Sequence, residues 1–590
     1  MKKILYTILS ITLLLSTFSC SEDWLDVNVD PNNPTNTLAS IDGRLAWIQH
    51  HFLYGQQVAG VRSSFITQQL TATSTGTRDG MAAGWNAGTA INTSPYQFFF
   101  VATAANFPDL ENKAIAQEAW HYVGAVRAIR AMGFMLMTDW YGEMPYTEAV
   151  GESVTPKFDD GKTIFEGCLQ DIDFAIENFK KAQGENAPSL KSGDSWNDGD
   201  VDKWLKMCYG LKARWLNNLS KKTILYKPDE ILSLISSAAT SNAQSTVVNH
   251  LDLVSDNVGD VLFSDPLKTS IAFNSVGMNT NIRVTKWYTD LLTNFDNKGI
   301  EDPRADKLIP WAQFKHGEFV RSAGVDMQSD IRINQGPNGT SYNSKNESIQ
   351  SNGRTVPAHS WYVNVSDQQR WGDTIYVSLR GSSIGYHGDT DDQYKADDGN
   401  ILGTGTFYSR VDGPTHLVCY HEMCFIKAEI LFNKGDKAGA FAAYRDGVRA
   451  HMELMNDKLK TYNETENPSK TPMSEAAITN YLNTAIGTAD DITLGKIMTQ
   501  KYIAMSFMQQ KWNDMRRLDY STTAYPDWKI PNEYFKNADA QTRIPLGKQY
   551  RRIMQVSHEI NYNSANWLES HPHASDDDIW SYPVWWDIVE

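Results

Sequence analysis

From Asn112 to Thr138 the residues Ile115, Ala119, Tyr122, Val126, Ile129 and Gly133 recur at three- and four-residue spacing, which lines one apolar face of a long helix. Tyr141-Gly142-Glu143-Met144-Pro145 then stops it, because glycine admits backbone angles outside the helix and proline cannot continue its hydrogen-bond ladder. The same periodicity predicts helices over Leu38 to Tyr54, Thr163 to Lys181, Val201 to Lys221, Pro228 to Ser241, Val284 to Asn297, Val418 to Asn433, Lys437 to Met455, Ser474 to Ala485 and Thr493 to Arg517. The expected fold class is therefore mainly α. Trp204 and Trp512 lie on amphipathic helices, where a tryptophan packs into the core more often than it stacks on a ligand.

The two helices from Val418 to Met455, joined at Lys434-Gly435-Asp436, have the dimensions of a tetratricopeptide-like pair. No clean 34-residue self-similarity accompanies them, so such pairs are expected as a scaffold and not as a strict repeat. Between Asn242 and Pro414 the texture changes to Gly, Asn, Ser, Asp and scattered aromatics, with short strand-like runs such as Thr374 to Leu379. We read this as a loop-rich lobe, about 242–414, with a few short β-strands, set within one domain spanning 38–590. The lobe and the loop from Thr71 to Ser94 are where a binding surface is expected, since rigid scaffolds present function on loops.

The N-terminus adds an address. Lys2 and Lys3 precede an apolar stretch from Ile4 to Leu15, and Ser16-Thr17-Phe18-Ser19 leads to Cys20, the order of a secretory signal peptide over 1–19. Cys20 directly after the small Ser19 reads as a lipidation site, although Thr17 stands where leucine is usual; a lipid there would anchor the chain without spanning the membrane. Residues 20–37, with Asp30-Pro31-Asn32-Asn33-Pro34, form a turn-rich tether. Formal net charge is −16, and losing Lys2 and Lys3 with the leader makes it more negative by two, which argues against nucleic-acid binding. The four remaining cysteines, Cys168, Cys208, Cys419 and Cys424, are too few for a disulfide framework in so long a chain and read as buried small hydrophobes.

Apparent catalytic motifs do not hold up. Gly381-Ser382-Ser383-Ile384-Gly385 matches a nucleophile elbow, but the helix that must follow is replaced by Tyr386-His387-Gly388-Asp389. Gly161-Lys162-Thr163 lacks the glycine of a phosphate loop, having Pro156 there, and reads as a helix cap. His416, Cys419, His421 and Cys424 are zinc-type residues, but on one continuous helix Cys419 and His421 would diverge by about 160°, so no metal is expected. Asp389 to Asn400 lacks the loop pattern of an EF-hand and reads as a solvated acidic loop. No catalytic residue and no cofactor are expected.

Several segments, in order, resemble the SusD/RagB family and its SusD-like subgroup. Trp24-Leu25-Asp26-Val27-Asn28-Val29-Asp30-Pro31-Asn32 is similar to the family's segment after the lipidated cysteine. Tyr141-Gly142-Glu143-Met144-Pro145-Tyr146 resembles its tyrosine-glycine-acid-x-proline-tyrosine signature. Gly199 to Trp204 with Leu211-Lys212-Ala213-Arg214, Gln500 to Ala504, Trp512 to Arg517, and Arg543 through Glu559 and Asn563 complete the likeness, with Leu546 and Gly547 departing mildly from it. Ser21-Glu22-Asp23 resembles the acidic tag that carries such lipoproteins to the cell surface. The resemblance implies a non-enzymatic outer-membrane lipoprotein that binds an oligomeric nutrient, usually a glycan. It also implies a SusC-type TonB-dependent transporter as partner. The alternatives are a surface-anchored glycoside hydrolase and a structural lid of the transporter with little binding of its own. Sugars offer apolar C–H faces and many hydroxyls, so exposed aromatic planes beside polar partners are expected to hold them. Arg78, Trp85 and Asn86 supply such a set in the first loop, and Trp311, Trp361, Trp371 and Tyr376 in the lobe.

Overall fold

Side-chain caps encoded in the sequence start many of the long helices. Ser40 accepts the Gly43 amide before α1, Ile41–Ile66. Asp160 accepts the amides of Lys162 and Thr163 before α4, Gly161–Phe179, so Gly161-Lys162-Thr163 is indeed a helix start. Asp200 accepts from Lys203 before α5, Val201–Asn218, and Asp436 accepts from Gly439 before α9, Lys437–Tyr462. Ser474 and Thr493 do the same for α10, Glu475–Thr484, and α11, Leu494–Ala504. Each side chain satisfies an amide that the helix itself cannot. The other long helices are α2, Phe107–Ala116; α3, Trp120–Tyr141; α6, Pro228–Ser237; α7, Lys286–Thr293; α8, Tyr420–Asn433; and α12, Gln510–Arg517. This computed structural model describes residues 39–72, 76–151, 153–250, 282–313, 319–328, 347–349, 355–357, 377, 379, 402–410 and 412–590.

The molecule is mainly helical, with the sequence neighbours α3–α4, α5–α6 and α8–α9 packed as successive pairs. Several boundaries differ from the periodicity. The expected helix from Asn112 is two helices, because Glu118 takes a left-handed backbone conformation (φ 51°) between α2 and α3, and Ile115 is left exposed. The segment expected as one helix from Thr493 to Arg517 breaks likewise at Phe507 (φ 62°). α1 runs on to Ile66, beyond the expected end at Tyr54, burying Val58, Val61 and Phe65. Gly60 makes this possible: a β-carbon there would lie 1.9 Å from the Phe507 carbonyl oxygen. Trp204 and Trp512 are fully buried, as their helical placement implies.

Strands are short and join distant parts of the chain. β1, Leu70–Ala72, pairs antiparallel with β3, Ile282–Val284, in the register Leu70↔Val284. β2, Thr246–Val248, pairs with β9, Thr415–Val418, closing the base of the lobe. β4, Trp311–Gln313, lies between β5, Phe319–Arg321, and β8, Leu402–Gly403, while β6, Glu347–Ile349, pairs with β7, Thr355–Pro357. Most of the expected strand from Thr374 to Leu379 lies outside the described residues, but the Leu379 amide donates to the Ile282 carbonyl, extending the contacts of β3.

The helix pairs are pinned by buried ion pairs. Arg214 of α5 donates two 2.6 Å bonds to Glu422 of α8, and Arg517 of α12 grips Glu429 of α8 with both terminal guanidinium nitrogens. Lys501 of α11 sits 2.8 Å from Asp514 of α12. Each charge here is paired and hydrogen-bonded, which is the condition for burying it at all. Cys168, Cys208, Cys419 and Cys424 are free and buried.

Candidate functional site

Of the residues expected to hold a ligand, four are described and three, Trp361, Trp371 and Tyr376, lie outside the described residues. Trp85 is not a platform. Its ring is fully buried among Tyr520, Trp528, Tyr534 and Tyr550, and its indole N–H donates to the Ile66 carbonyl at 2.9 Å. A ring with no exposed face cannot stack on a sugar, so that expectation is corrected. Asn86 is half-buried and accepts from the Arg543 guanidinium at 3.0 Å; Arg78, also half-buried, pairs with Asp79 at 3.2 Å. Trp311 is half-exposed on β4, with the Arg321 guanidinium 5.5 Å from its ring centre and its N–H donating to the Asp306 carbonyl. Arg321 is itself held by Glu301 and Asp306. Charged groups thus lie beside Trp311, with the guanidinium already occupying part of its surface.

A cleft of about 370 Å³ opens elsewhere, where α7 and the turn after it face the start of α11 and the Pro526-Asp527 corner. Its aromatic element is Trp287, half-buried on α7, whose indole N–H donates to the Pro526 carbonyl at 3.0 Å and whose ring meets Tyr502 edge-on at 4.9 Å. Thr285 caps α7 by accepting the Tyr288 amide, which fixes the start of the helix and hence the direction of Trp287. Asp290, Asn294, Asp296, Asn297 and Asp527 bring carboxylate and amide groups to the rim, and all five are exposed. Asp296 and Asn297 adopt left-handed backbone angles (φ 55° and 56°), which short polar residues tolerate best, and so turn the chain sharply at the mouth. Lys496 ties this rim to the next loop, lying 3.2 Å from Asp296 and 3.0 Å from Asp491. The Thr488 amide, then Lys496, holds the Asp491 carboxyl down to about 2.

Such a cleft can take a neutral, hydroxyl-rich ligand: an apolar ring below, amides and carboxylates around it, and a size within the range of small-molecule sites. Its carboxylates stand open to solvent, whereas a glycosidase needs one carboxyl kept protonated, usually by burial. Sequence reasoning missed Trp287 because it sits on a helix whose period assigned it to packing. The neighbouring Asn294-Phe295-Asp296-Asn297, polar and turn-forming, was the available signal.

The expectation about the histidines and cysteines also needs correcting. The helix α8 starts at Tyr420; His416 is on β9 and Cys419 is an extended N-cap (φ −125°, ψ 155°), so a single helical wheel does not describe them. The donor atoms of His416, Cys419 and His421 all lie within 4.8 Å of one another, and Cys424 is not among them.

Comparison with known proteins accords with the architecture. The profile of the SusD-like family described as "Starch-binding associating with outer membrane" matches residues 48–542. A SusD/RagB family protein from Bacteroides thetaiotaomicron superposes with a TM-score of 0.61 at 18% identity, covering 94% of this chain and 100% of its own. A SusD homolog from Bacteroides fragilis gives 0.57 at 18%, covering 91% and 100%, and a chitin-binding SusD homolog from Flavobacterium johnsoniae gives 0.56 at 16%, covering 93% and 98%. At these identities the structures establish a shared fold. No curated protein matches the chain. Among the described residues no helix is long and apolar enough to cross a membrane.

Proposed function

We propose, because this chain belongs to the SusD-like family described as starch-binding and associating with the outer membrane, that it is a nutrient receptor which binds oligosaccharide at the cell surface. The observation that carries the reading is the cleft at Trp287, where an indole ring lies beside amide, carboxylate and ammonium groups on a rigid helical support. Starch, named in the family description, and chitin, named for a structural relative, are both pyranose polymers; an aromatic ring with polar neighbours suits that chemistry. The half-exposed Trp311 with Arg321 offers a second contact on the lobe, and Arg78 and Asn86 remain available as polar contacts near β1. Lipidation at Cys20 would hold the protein to the outer membrane through the tether over 20–37, and the bound sugar would pass to a SusC-type TonB-dependent transporter. In this role the protein is a binder and not an enzyme, which the solvent-exposed carboxylates of the cleft support.

The test is calorimetric titration of the mature chain with starch and chitin oligosaccharides, with and without Trp287→Ala. Loss of the ring is expected to weaken binding at least tenfold with an unchanged circular dichroism spectrum. Full-strength binding by the folded variant rejects the cleft. No binding by the unaltered chain favours the lid of a transporter, and release of shorter sugars during the titration favours a hydrolase.

A further inference from the structure

We propose that His416, Cys419 and His421 form a buried site for a thiophilic d10 metal ion, copper(I) or zinc(II). The backbone brings the three together by changing conformation between them. His416 stands in the last strand, Cys419 is extended at the junction, and His421 belongs to the first turn of α8. All three are buried, His421 completely.

The hydrogen bonding around the trio shows which groups lack partners. His451 of α9 is satisfied on both sides: the Arg304 guanidinium donates to its Nδ1 at 3.0 Å, so its Nε2–H faces the Tyr408 oxygen at 2.8 Å. The same hydroxyl lies 3.3 Å from His416 Nδ1 and can either donate to that nitrogen or accept from it, so it serves both neutral tautomers of His416. His416 Nε2 has no partner, and neither Nδ1 nor Nε2 of His421 has one. Cys419 Sγ lies 3.9 Å from the Thr246 carbonyl and within hydrogen-bonding reach of the Ser245 side chain. A buried polar atom left without a partner is destabilising, and such atoms are uncommon in native proteins. Three nitrogens of the His416 and His421 rings lack partners, and one donor atom from each of His416, Cys419 and His421 lies within 4.8 Å of the other two.

A bound ion would use one donor atom from each of the three residues. Metal–nitrogen and metal–sulfur bonds of about 2.0–2.3 Å place donors roughly 3.3–3.7 Å apart around a tetrahedral centre. The observed spread, up to 4.8 Å, therefore closes with side-chain rotation of about 1 Å, without movement of the strand or helix. Both rings are buried, and a neutral imidazole presents a lone pair to a metal. The thiol supplies the only proton that must leave: as the sulfur–metal bond forms, the S–H bond breaks and one proton passes to solvent. Thiolate with imidazole is the donor set that selects copper(I) and zinc. Charge ranks the two. Arg304 is paired with Asp302 and Arg214 with Glu422, so no spare carboxylate among these neighbours offsets a further positive charge. One thiolate and two neutral imidazoles make copper(I) electrically neutral and leave zinc(II) with one positive charge.

Because the site is enclosed, the test loads the ion during folding. The mature chain is refolded with one equivalent of copper(I) under anaerobic reducing conditions, or of zinc(II), then dialysed against a chelator. One ion per chain is expected to remain, held more tightly for copper(I), whose complex should show near-ultraviolet sulfur-to-metal charge-transfer absorption. Cys419→Ser should remove that absorption and weaken retention at least tenfold. Cys208→Ser, which removes a buried thiol in α5, should change neither. Retention of no ion by the unaltered chain, or equal retention by folded Cys419→Ser, overturns the proposal. Should Cys419→Ser fail to fold, absence of the sulfur band from the loaded unaltered chain overturns it by itself.

Discussion

Asp139, near the end of α3, illustrates how single residues carry this fold's electrostatics. Its carboxyl accepts from the Trp586 indole N–H at 2.8 Å and from the Asn513 amide at 2.7 Å, while Arg516 donates to its backbone carbonyl at 2.7 Å. Burial nevertheless dominates and raises the carboxyl to about 6, with Arg516 opposing the shift. An acid that holds its proton more tightly when folded favours the native state below its unfolded value near 4, and this contribution is lost as pH rises through 6. We expect the unaltered chain to lose about 3 kcal/mol relative to Asp139→Asn, most of it between pH 4 and 6. Urea unfolding of both proteins at pH 4.5 and 7 checks this; a constant difference would show that the carboxyl is not raised. At the same scale, the tryptophans show the reach of sequence reasoning. Trp204 and Trp512 were legible as core because helical period is local. Trp85, in a glycine-rich loop, looked exposed because what covers it arrives from Tyr520 to Tyr550, far along the chain.

The α8–α9 hairpin makes the corresponding point for elements. Its turn needs Gly435 at φ +83°, and a β-carbon there would meet nothing within 4 Å. Gly435→Ala is therefore a clean measure of backbone strain, expected to lower stability by about 1 kcal/mol in urea unfolding. A loss several times larger would mean that the turn makes contacts the fold does not show. The helices themselves were readable, since their apolar stripes and many of their caps are written within a few residues. The breaks at Glu118 and Phe507 were not, because both are non-glycine residues held at positive φ by their surroundings. For Phe507 the support is visible: its amide donates at 3.2 Å to Oε1 of Gln69, which lies just beyond the end of α1. The cleft escaped for a related reason, since its walls come from α7, α11 and the Pro526 corner.

At the scale of the molecule, the expected attachment to the membrane rests on Cys20, as no described helix could replace it. Cys20→Ala should move the protein from the membrane fraction to the soluble fraction on cell fractionation; persistence with the membrane would show another attachment. The resemblance motifs around Arg214, Tyr502 and Arg517 occupy the buried centre, so they made the family and fold legible while saying little about the ligand. That centre joins the first helices to the last. Tyr502 donates to the Thr67 carbonyl 435 positions earlier, and the amide of Ile553 donates to the carbonyl of Trp140. Ribosomes add about 5–20 residues per second, so α1 and α3 wait roughly 20–80 s for the segments that cover them. For that interval α3, though already packed on α2 and α4, lacks the C-terminal cover over its end at Trp140, and a delay in synthesis anywhere in the lobe lengthens the exposure of that end to aggregation.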